Sequence, residues 1–214
     1  MISLDKIHQA ALQVMPVCQG INASGPDSGV TPKILQEEDL SRIVELHESV
    51  FRTVPAGLVR HDPEDFFHRV LVERGAILGF EFGEDSLAAY GVLTFPESDE
   101  MHYGRILDLP DTEWPLLAQL EGVSVDPRWR GHNLQRQLGL WRIATASALN
   151  YRHICATAAP ENFHSWRNLL SLGLTIRQLS LLYGGFPRYV HHRDLCQESS
   201  YSMDREVDVD DLAL

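Results

Sequence analysis

The stretch Leu120-Glu-Gly-Val-Ser-Val-Asp-Pro-Arg-Trp-Arg-Gly-His-Asn-Leu-Gln-Arg-Gln-Leu138 predicts a strand, a turn and a helix, in that order. Apolar residues open the strand, and Asp126-Pro127 ends it because proline supplies no hydrogen-bond donor to a sheet. After a loop containing Arg130-Gly131, apolar side chains recur with the spacing of one helix face. Such a turn leaves backbone N–H groups free at the positive end of a helix dipole, where a phosphate can bind.

Basic residues concentrate in the same stretch. From Arg128 to Arg142 the sequence has arginines at 128, 130, 136 and 142 and no acidic residue, although the formal net charge of the chain is -12. A bound polyphosphate accounts for such a basic segment. A solvated helix face whose arginines pair with acids elsewhere accounts for it equally well, so charge alone leaves both interpretations open.

This loop and helix resemble the coenzyme A pyrophosphate loop of the GNAT N-acetyltransferase superfamily, usually written Gln/Arg-x-x-Gly-x-Gly/Ala. Arg130 matches the first position, Asn133 replaces the middle glycine and Gln135 replaces the last small residue. Asparagine tolerates a left-handed backbone better than most other non-glycine residues. The resemblance implies that the cofactor, acetyl-CoA, is contacted by Val123, Ser124, Val125, Arg130, Gly131, His132, Asn133, Leu134 and Gln135.

A second segment, residues 160–173, resembles the other coenzyme A-contacting segment of GNAT proteins, Asn-x-x-Ala/Ser followed later by Leu-Gly. A helix is predicted to begin near Asn162 and to end at Gly173, a glycine typical of a C-terminal cap. The resemblance implies that Asn162 and Ser165 lie against the pantetheine arm of the cofactor. Asn162 is equally suited to cap its own helix, and the two roles are compatible.

The order of predicted elements is strand, two helices, three strands, long helix, strand, helix and two strands. It resembles the α/β GNAT fold, which has a mixed, mostly antiparallel sheet splayed between the fourth and fifth strands and helices on both faces. We predict this domain over residues 33–195. An N-terminal helix and linker over 1–32 precede it, and an acidic tail over 196–214 follows it.

Acyl transfer from a thioester to an amine needs a base for the amine, a donor for the oxyanion and a thiolate that can leave. Glu121 is the predicted base: strand alternation puts it on one face with Val123 and Val125, toward the cleft. A structural ion pair or exposure to solvent explains Glu121 equally well. The resemblance implies a β-bulge at this point of the strand, which would free a backbone N–H near Val123 for the oxyanion, and Gly122 favours such a bulge.

The general acid departs from the GNAT pattern. The family commonly has tyrosine seven residues after the helix-start asparagine, where this chain has Leu169. Tyr183 and Tyr189 are the candidate substitutes, with Tyr183 as the predicted acid, although a tyrosine in a strand more often packs in a core. Protonation of the thiolate by water is a third route, because a thiol of pKa about 8.5 is a tolerable leaving group. The resemblance also implies that the loop over residues 51–61 helps to form the acceptor pocket.

The sequence therefore predicts an acetyl-CoA-dependent N-acetyltransferase that acetylates a primary amine of a small molecule by direct attack in a ternary complex. A non-catalytic acyl-CoA-binding regulatory module is the first alternative, and Gln135 and Leu169 favour it. Acetylation of a protein or peptide amine is the second, because acceptor sites are built from variable loops.

Other function classes fit the sequence less well. Its acidity counts against nucleic acid, and no apolar run approaches the length of a membrane span. The three cysteines, Cys18, Cys155 and Cys196, form no paired motif and favour free thiols in the cytoplasm. No metal is predicted, because the adjacent His191-His192 would face opposite ways on a strand. The oligomeric state stays open, with the N-terminal helix and the acidic tail as candidate elements of a homodimer.

Overall fold

A computed structural model describes residues 2–19, 29–83, 86–96 and 102–196. The strands are β1 Val30–Leu35, β2 Gly75–Phe82, β3 Ser86–Thr94, β4 Leu117–Val125, β5 His153–Ala158, β6 Thr175–Leu182 and β7 Phe186–Asp194. The helices are α1 Leu4–Gln19, α2 Leu40–Phe51, α3 Glu64–Arg69, α4 Tyr103–Ile106, α5 Leu134–Ala148 and α6 Phe163–Ser171. Among these described helices, none combines the length and apolarity needed to cross a membrane. The predicted acidic tail beyond residue 196 and most of the predicted linker lie outside the described residues.

The strands form one seven-stranded sheet in the order β1-β2-β3-β4-β5-β7-β6. Neighbouring strands are antiparallel except β4 and β5, which are parallel. Their pairing runs from Leu117 opposite His153 to Leu120 opposite Ala156, although both strands continue beyond these residues. The sheet is therefore splayed between the fourth and fifth strands, as predicted.

Helices cover both faces of the sheet. Residues of α1, α5 and α6 bury their apolar sides in one cluster, and residues of α2 and α3 do so in a second. The predicted apolar face of α5 is confirmed, since Leu134, Leu138 and Trp141 are all buried. The indole nitrogen of Trp141 donates a hydrogen bond of 2.9 Å to the backbone oxygen of Ala11 in α1. Helix α1 thus shares its core with the predicted domain, whose limits at 33 and 195 stay predictions.

The start of α3 differs from the prediction at its cap. The sequence Asp62-Pro63 predicts a helix start with Asp62 as the cap and Pro63 at the first position, but Pro63 itself is the cap residue and no side chain bonds the helix start. The Asp62 carboxylate instead pairs with Arg60, so a nearby cation displaced the local capping interaction. The C-terminal cap predicted for α6 is confirmed: Gly173 has a φ of 82°, and its N–H donates to the Leu170 oxygen.

The polar stretch 96–115 before β4 is predicted from its sequence to be a long loop, and its described part contains two short helical pieces. These are α4 and a 3-10 helix over Asp111–Leu116. Side-chain contacts within the stretch hold the two pieces together. Trp114 stacks on His102 with ring centroids 5.1 Å apart, and its indole nitrogen donates to the Leu109 oxygen. No sequence period accompanies these contacts, so the pattern indicates only a loop. The loop places Tyr103 beneath the open end of the sheet.

Candidate active site

A cleft opens where β4 and β5 separate. It holds about 550 Å³ of empty space, part of which is open to solvent. Strands β4 and β5, the loop between α2 and α3, α6 and the β6–β7 hairpin line it, through Leu58, Val59, Arg60, Asp62, Leu120, Glu121, Gly122, Val123, Thr157, Ala158, Ala159, Ser165, Tyr183 and Arg188. The loop that was expected to help form an acceptor pocket therefore reaches the cleft.

Strand β4 carries a β-bulge at the cleft. Gly91 pairs with Val123 while Leu93 pairs with Leu120, so two residues of β4, Glu121 and Gly122, stand opposite one residue of β3. The bulge that Gly122 favoured is thus present. It lies where the β4–β5 pairing ends, at the base of the cleft.

Arg142 of α5 binds the bulge from the face of the sheet on which α5 packs. Its Nη1 donates to the oxygens of Val92 and Glu121, at 3.0 and 3.3 Å, and its Nε donates to the Leu138 oxygen. The residue is only 2% exposed, and burial lowers its pKa to about 10. Arg142 therefore does not belong to the basic surface to which the sequence pattern assigned it.

The bulge also changes which way Glu121 points. Leu120 lies in the core cluster under α5, and Val123 and Val125 pack against the same cluster. Glu121 instead accepts a hydrogen bond from Gln119 on the opposite face. The prediction that Glu121 shares a face with the two valines is wrong, because the extra residue of the bulge shifts the alternation by one. Glu121 thus faces the loop between α2 and α3.

The Glu121 carboxylate is held at both oxygens. Oε1 accepts from the side-chain nitrogen of Gln119 at 2.8 Å, and Oε2 lies 3.4 Å from Nη2 of Arg60. Arg60 also pairs with Asp62. Burial opposes the charge on Arg60, but the two carboxylates outweigh it and raise its pKa. The ion pair that the sequence left open for Glu121 is therefore present, and it lies inside the cleft.

His47 supports this arrangement from α2. Its Nε2 accepts the backbone N–H of Asp62 at 3.0 Å, so the ring proton is on Nδ1, which donates to the Tyr90 hydroxyl at 2.9 Å. The side chain is 2% exposed, and burial lowers its pKa to about 4. Its position beside an apolar helix stripe predicts a hydrogen-bonded structural histidine and not a ligand, and the structure confirms this prediction.

Acid should destabilise the fold through His47. The unfolded chain takes up a proton near pH 6.5 whereas the folded chain does so near pH 4. Stability therefore falls as the pH drops through this window, by about 1.4 kcal/mol per pH unit for this group. We expect His47→Gln to lose about 2 kcal/mol less than the wild type between pH 7 and pH 5 in urea unfolding. His68→Gln, at a partly exposed histidine of α3, is the control; equal losses in wild type and His47→Gln would contradict the assignment.

Tyr183 lies at the cleft and not in the core. It directly follows β6 with a φ of 53°. Its hydroxyl is hydrogen-bonded to the hydroxyls of Tyr103 and Thr157, the latter at 3.1 Å. The Arg60 guanidinium carbon is 4.8 Å from the centroid of its ring. Burial raises the pKa of Tyr183, so the hydroxyl stays protonated at neutral pH.

Four residues of this cluster escape sequence reasoning: Arg60, Asp62, Tyr103 and Arg188. Tyr103 is 2% exposed and packs with Leu117 beneath the sheet, but it comes from a stretch without periodicity. The only signal for Arg60 and Asp62 was the family expectation that their loop lies near the acceptor. Arg188 belongs to the Tyr-Gly-Gly-x-x-Arg-Tyr pattern of the β6–β7 hairpin, which indicates a turn and no particular chemistry.

The predicted phosphate-binding loop has an open helix start. Gly131 and Asn133 both have positive φ values, 83° and 65°, and α5 begins at Leu134. The Asn133 side chain makes no capping bond, so the first-turn N–H groups of α5 are not used by it. His132 folds back on its own loop, with Nδ1 3.1 Å from the Arg130 oxygen. This geometry can receive an anion.

The side chains around this loop divide into two groups. Arg130 is exposed, and Gln135 and Arg136 are partly exposed at the start of α5. Arg128 is tied to Asp126 by an ion pair of 2.7 Å. Of the four arginines in the basic stretch, those at 130 and 136 therefore remain for a phosphate.

The other predicted cofactor residues occupy both sides of the cleft. Asn162 caps α6, since its Oδ1 accepts the N–H of Ser165 at 3.2 Å, and Ser165 lines the cleft. Val123 lines it from β4. Ser124 is 3% exposed and its hydroxyl donates to Tyr90, away from α5. The capping role of Asn162 is observed, and contact of these residues with a cofactor stays a prediction.

No protein-family model and no curated protein matches the chain. Solved structures match over most of their length. A putative acetyltransferase, yncA, from Salmonella typhimurium, solved with its cofactor acetyl-CoA, is 19% identical, with 82% of this chain and 99% of that chain covered and a TM-score of 0.58. The ribosomal-protein-S18-alanine N-acetyltransferase from Escherichia coli is 15% identical, with 81% and 99% covered and a TM-score of 0.57. A GCN5-related N-acetyltransferase from Kribbella flavida is 15% identical, with 78% and 98% covered and a TM-score of 0.59.

The chain has the GNAT fold. At these identities the likeness establishes architecture, and the fold resemblance read from the two motifs is confirmed. The cleft lies where the sheet of this fold opens between β4 and β5. Of the departures from the GNAT motifs, Asn133 adopts the left-handed backbone just before α5, Gln135 lies in the first turn of α5, and Leu169 is buried in α6.

Proposed function

We propose that the chain is an acetyl-CoA-dependent N-acetyltransferase that acetylates a primary amine of a small molecule by direct attack in a ternary complex. The observation that carries the proposal is the two-sided cleft. The open helix start of α5 lies on one face of the splayed sheet, and a carboxylate held by Arg60 and Gln119 lies on the other. The two faces are joined by the bulge of β4. Donor and acceptor could thus meet from opposite sides.

The residues fit the binding of acetyl-CoA, which supplies the acyl group as a thioester when bound. The positive φ values at Gly131 and Asn133 and the open first turn of α5 suit a pyrophosphate, with Arg130 beside it. Ser165 and Val123 line the path between the strands. In this proposal acetyl-CoA, the acyl donor, binds on the face of the sheet that carries α5.

Catalytic roles follow from the positions in the cleft. Glu121 takes the proton of the attacking amine, and a backbone N–H freed by the bulge near Val123 donates to the oxyanion. Tyr183 donates a hydrogen bond toward the leaving sulfur. Because burial raises the pKa of Tyr183, its hydroxyl stays protonated, and a thiolate formed beside it would take its proton from solvent. Tyr103 and Thr157 orient the Tyr183 hydroxyl.

A protein or peptide amine is the second candidate acceptor, since one solved neighbour is named for acetylating an alanine of a ribosomal protein. The closure of the cleft favours a small acceptor. Nη2 of Arg188 donates to the Gly57 oxygen at 2.8 Å and so ties the loop between α2 and α3 to β7. This bond restricts the acceptor side to a pocket, where an extended peptide needs a groove.

The state of the cysteine thiols is relevant to the cellular compartment of the protein. Cys155 is a free, fully buried thiol, and burial raises its pKa. A core thiol of this kind is inert, and it is compatible with the reducing cytoplasm that we propose for the protein.

Turnover tests the proposal directly. Purified protein is mixed with acetyl-CoA and a panel of small amines, peptides and a lysine-rich protein, and free thiol is measured, with calorimetric titration of acetyl-CoA alone in parallel. We expect binding of acetyl-CoA and thiol release with small amines. Release with peptides alone would replace the acceptor class, and binding without any release would favour the non-catalytic module.

The phosphate loop has its own test. Asn133→Val places a β-branched residue at a φ of 65°, which should cost about 1–2 kcal/mol and weaken acetyl-CoA binding. Asn133→Gly relieves the same strain and should bind at least as tightly as the wild type. Calorimetry gives both dissociation constants. An Asn133→Val protein that folds and binds with an unchanged constant would show that the cofactor lies elsewhere.

A further inference from the structure

Arg188 is a buried cation in the wall of the cleft. It lies on β7, is only 4% exposed and lines the cleft together with Glu121 and Arg60. Its guanidinium carbon is 5.7 Å from the ring centroid of Tyr183 and 5.8 Å from that of Phe186. Aromatic faces thus hold the guanidinium in place.

The charge of Arg188 meets backbone oxygens. Nη1 donates to the Pro187 oxygen at 2.9 Å and Nη2 to the Gly57 oxygen at 2.8 Å. A guanidinium has five N–H donors, so three of them donate to no acceptor within the described part of the chain. Burial lowers the pKa of Arg188, whereas carboxylates raise that of Arg60.

The two arginines of the cleft therefore differ in charge balance. Arg60 contacts two carboxylates, Asp62 and Glu121. Across the described segments, no carboxylate oxygen lies within 4.0 Å of the Arg188 guanidinium. The exposed carboxylate of Glu161 acts on Arg188 only from beyond this distance. A buried cation without a carboxylate in contact is unfavourable, and an anion that enters the cleft can offset that cost.

We propose that Arg188 binds a carboxylate of the acceptor, so that the acceptor is a small amino acid: a primary amine whose own carbon chain carries a carboxylate. This inference rests on the proposed acetyltransferase function. Arg60, beside Glu121, and Arg188 both lie against the ring of Tyr183, at 4.8 and 5.7 Å from its centroid. The acceptor amine is then at the Glu121 end of the cleft and its carboxylate at the Arg188 end. Planar guanidinium groups suit carboxylates because they donate two parallel hydrogen bonds.

A purely structural role for Arg188 makes a different prediction. The bond to the Gly57 oxygen ties a loop to β7, and losing it would harm every acceptor alike. Loss of carboxylate binding harms only acceptors that carry the carboxylate. The ratio of kcat/KM for an amino acid and its methyl ester, measured in one protein sample, separates the two because the folded fraction cancels.

The experiment measures this ratio for the wild type, Arg188→Gln, Arg188→Lys and the control Arg177→Gln, an exposed arginine on the adjacent strand β6. The substrates are α- and ω-amino acids of increasing length, each paired with its methyl ester. We expect the wild type and Arg177→Gln to prefer the free acid. Arg188→Gln should lower the ratio of kcat/KM for the acid to that for its ester by about ten- to a hundredfold, because loss of the bond to Gly57 affects both substrates alike. Arg188→Lys should restore part of the preference.

Two outcomes overturn the assignment and leave the acetyltransferase proposal standing. The first is a wild type that uses esters and simple amines as well as acids. The second is an Arg188→Gln protein in which acid and ester lose activity equally. No thiol release with any amine, acid or ester contradicts the acetyltransferase proposal itself, and the acceptor assignment with it.

Discussion

Glu121→Gln should lower kcat for acetyl transfer by about a hundred- to ten-thousandfold at neutral pH, the range typical of removing a general base. The amide keeps the size of the side chain but cannot take the proton of an ammonium group. Primary amines have pKa values of about 10, so most acceptor molecules arrive protonated. The loss should therefore shrink as the pH rises toward 10 and free amine becomes abundant. Initial rates of thiol release across this pH range, at saturating acetyl-CoA, measure the effect.

Two controls separate this role from damage to the site. Glu64→Gln removes an exposed carboxylate at the start of α3 and should leave kcat unchanged. Calorimetry should show that Glu121→Gln still binds acetyl-CoA, because the carboxylate faces the loop between α2 and α3 and not α5. Full activity in Glu121→Gln would mean that this carboxylate serves only as the ion-pair partner of Arg60.

Arg142→Met should lower both stability and turnover. The substitution removes the donor to two strand oxygens at the bulge, those of Val92 and Glu121, and each unsatisfied buried acceptor costs about 1–3 kcal/mol. We expect the free energy of unfolding to fall by about 3 kcal/mol in total. Relaxation of the bulge should also lower kcat in the protein that stays folded. Urea unfolding and turnover at a temperature well below the transition give the two numbers.

A second substitution attacks the same contact from the opposite strand. An added methyl group at Gly91 would lie 2.9 Å from the guanidinium carbon of Arg142, so Gly91→Ala should displace the arginine. Its effects should resemble those of Arg142→Met. Arg136→Met, at a partly exposed arginine of the same helix, is the stability control. If Arg142→Met unfolds at the same urea concentration as Arg136→Met, the buried guanidinium does not hold the bulge.

Most of the fold could be predicted from the sequence because local patterns agreed with tertiary structure. The apolar period of α5, the glycine after α6 and the proline that ends β4 each act within a few residues. Together with the two motif resemblances they predicted the element order and the splay. The positions of the site residues could not be predicted from local patterns alone.

The wrong predictions share a cause in contacts that periodicity and capping patterns do not encode. One extra residue in β4 reversed the face of Glu121, and such a shift depends on the pairing with β3. Arg142 looks like a surface arginine in sequence, but a glycine fifty-one positions earlier, Gly91, leaves room for it in the sheet. Asp62 looks like a helix cap, but Arg60 holds it. Each of these positions is decided by a partner on another element or by a competing charge.

The bulge of β4 would allow acceptor specificity to diverge among related proteins while binding of the acyl donor is kept. Because it turns Glu121 and the valines to opposite sides, the two ligands of the proposed reaction draw on separate parts of the chain. Insertions or exchanges between residues 52 and 61, or in the β6–β7 hairpin, would change the specificity for the amine acceptor without disturbing the binding of the acyl donor. Grafting those two loops from a relative of different preference should therefore transfer its selectivity into this scaffold.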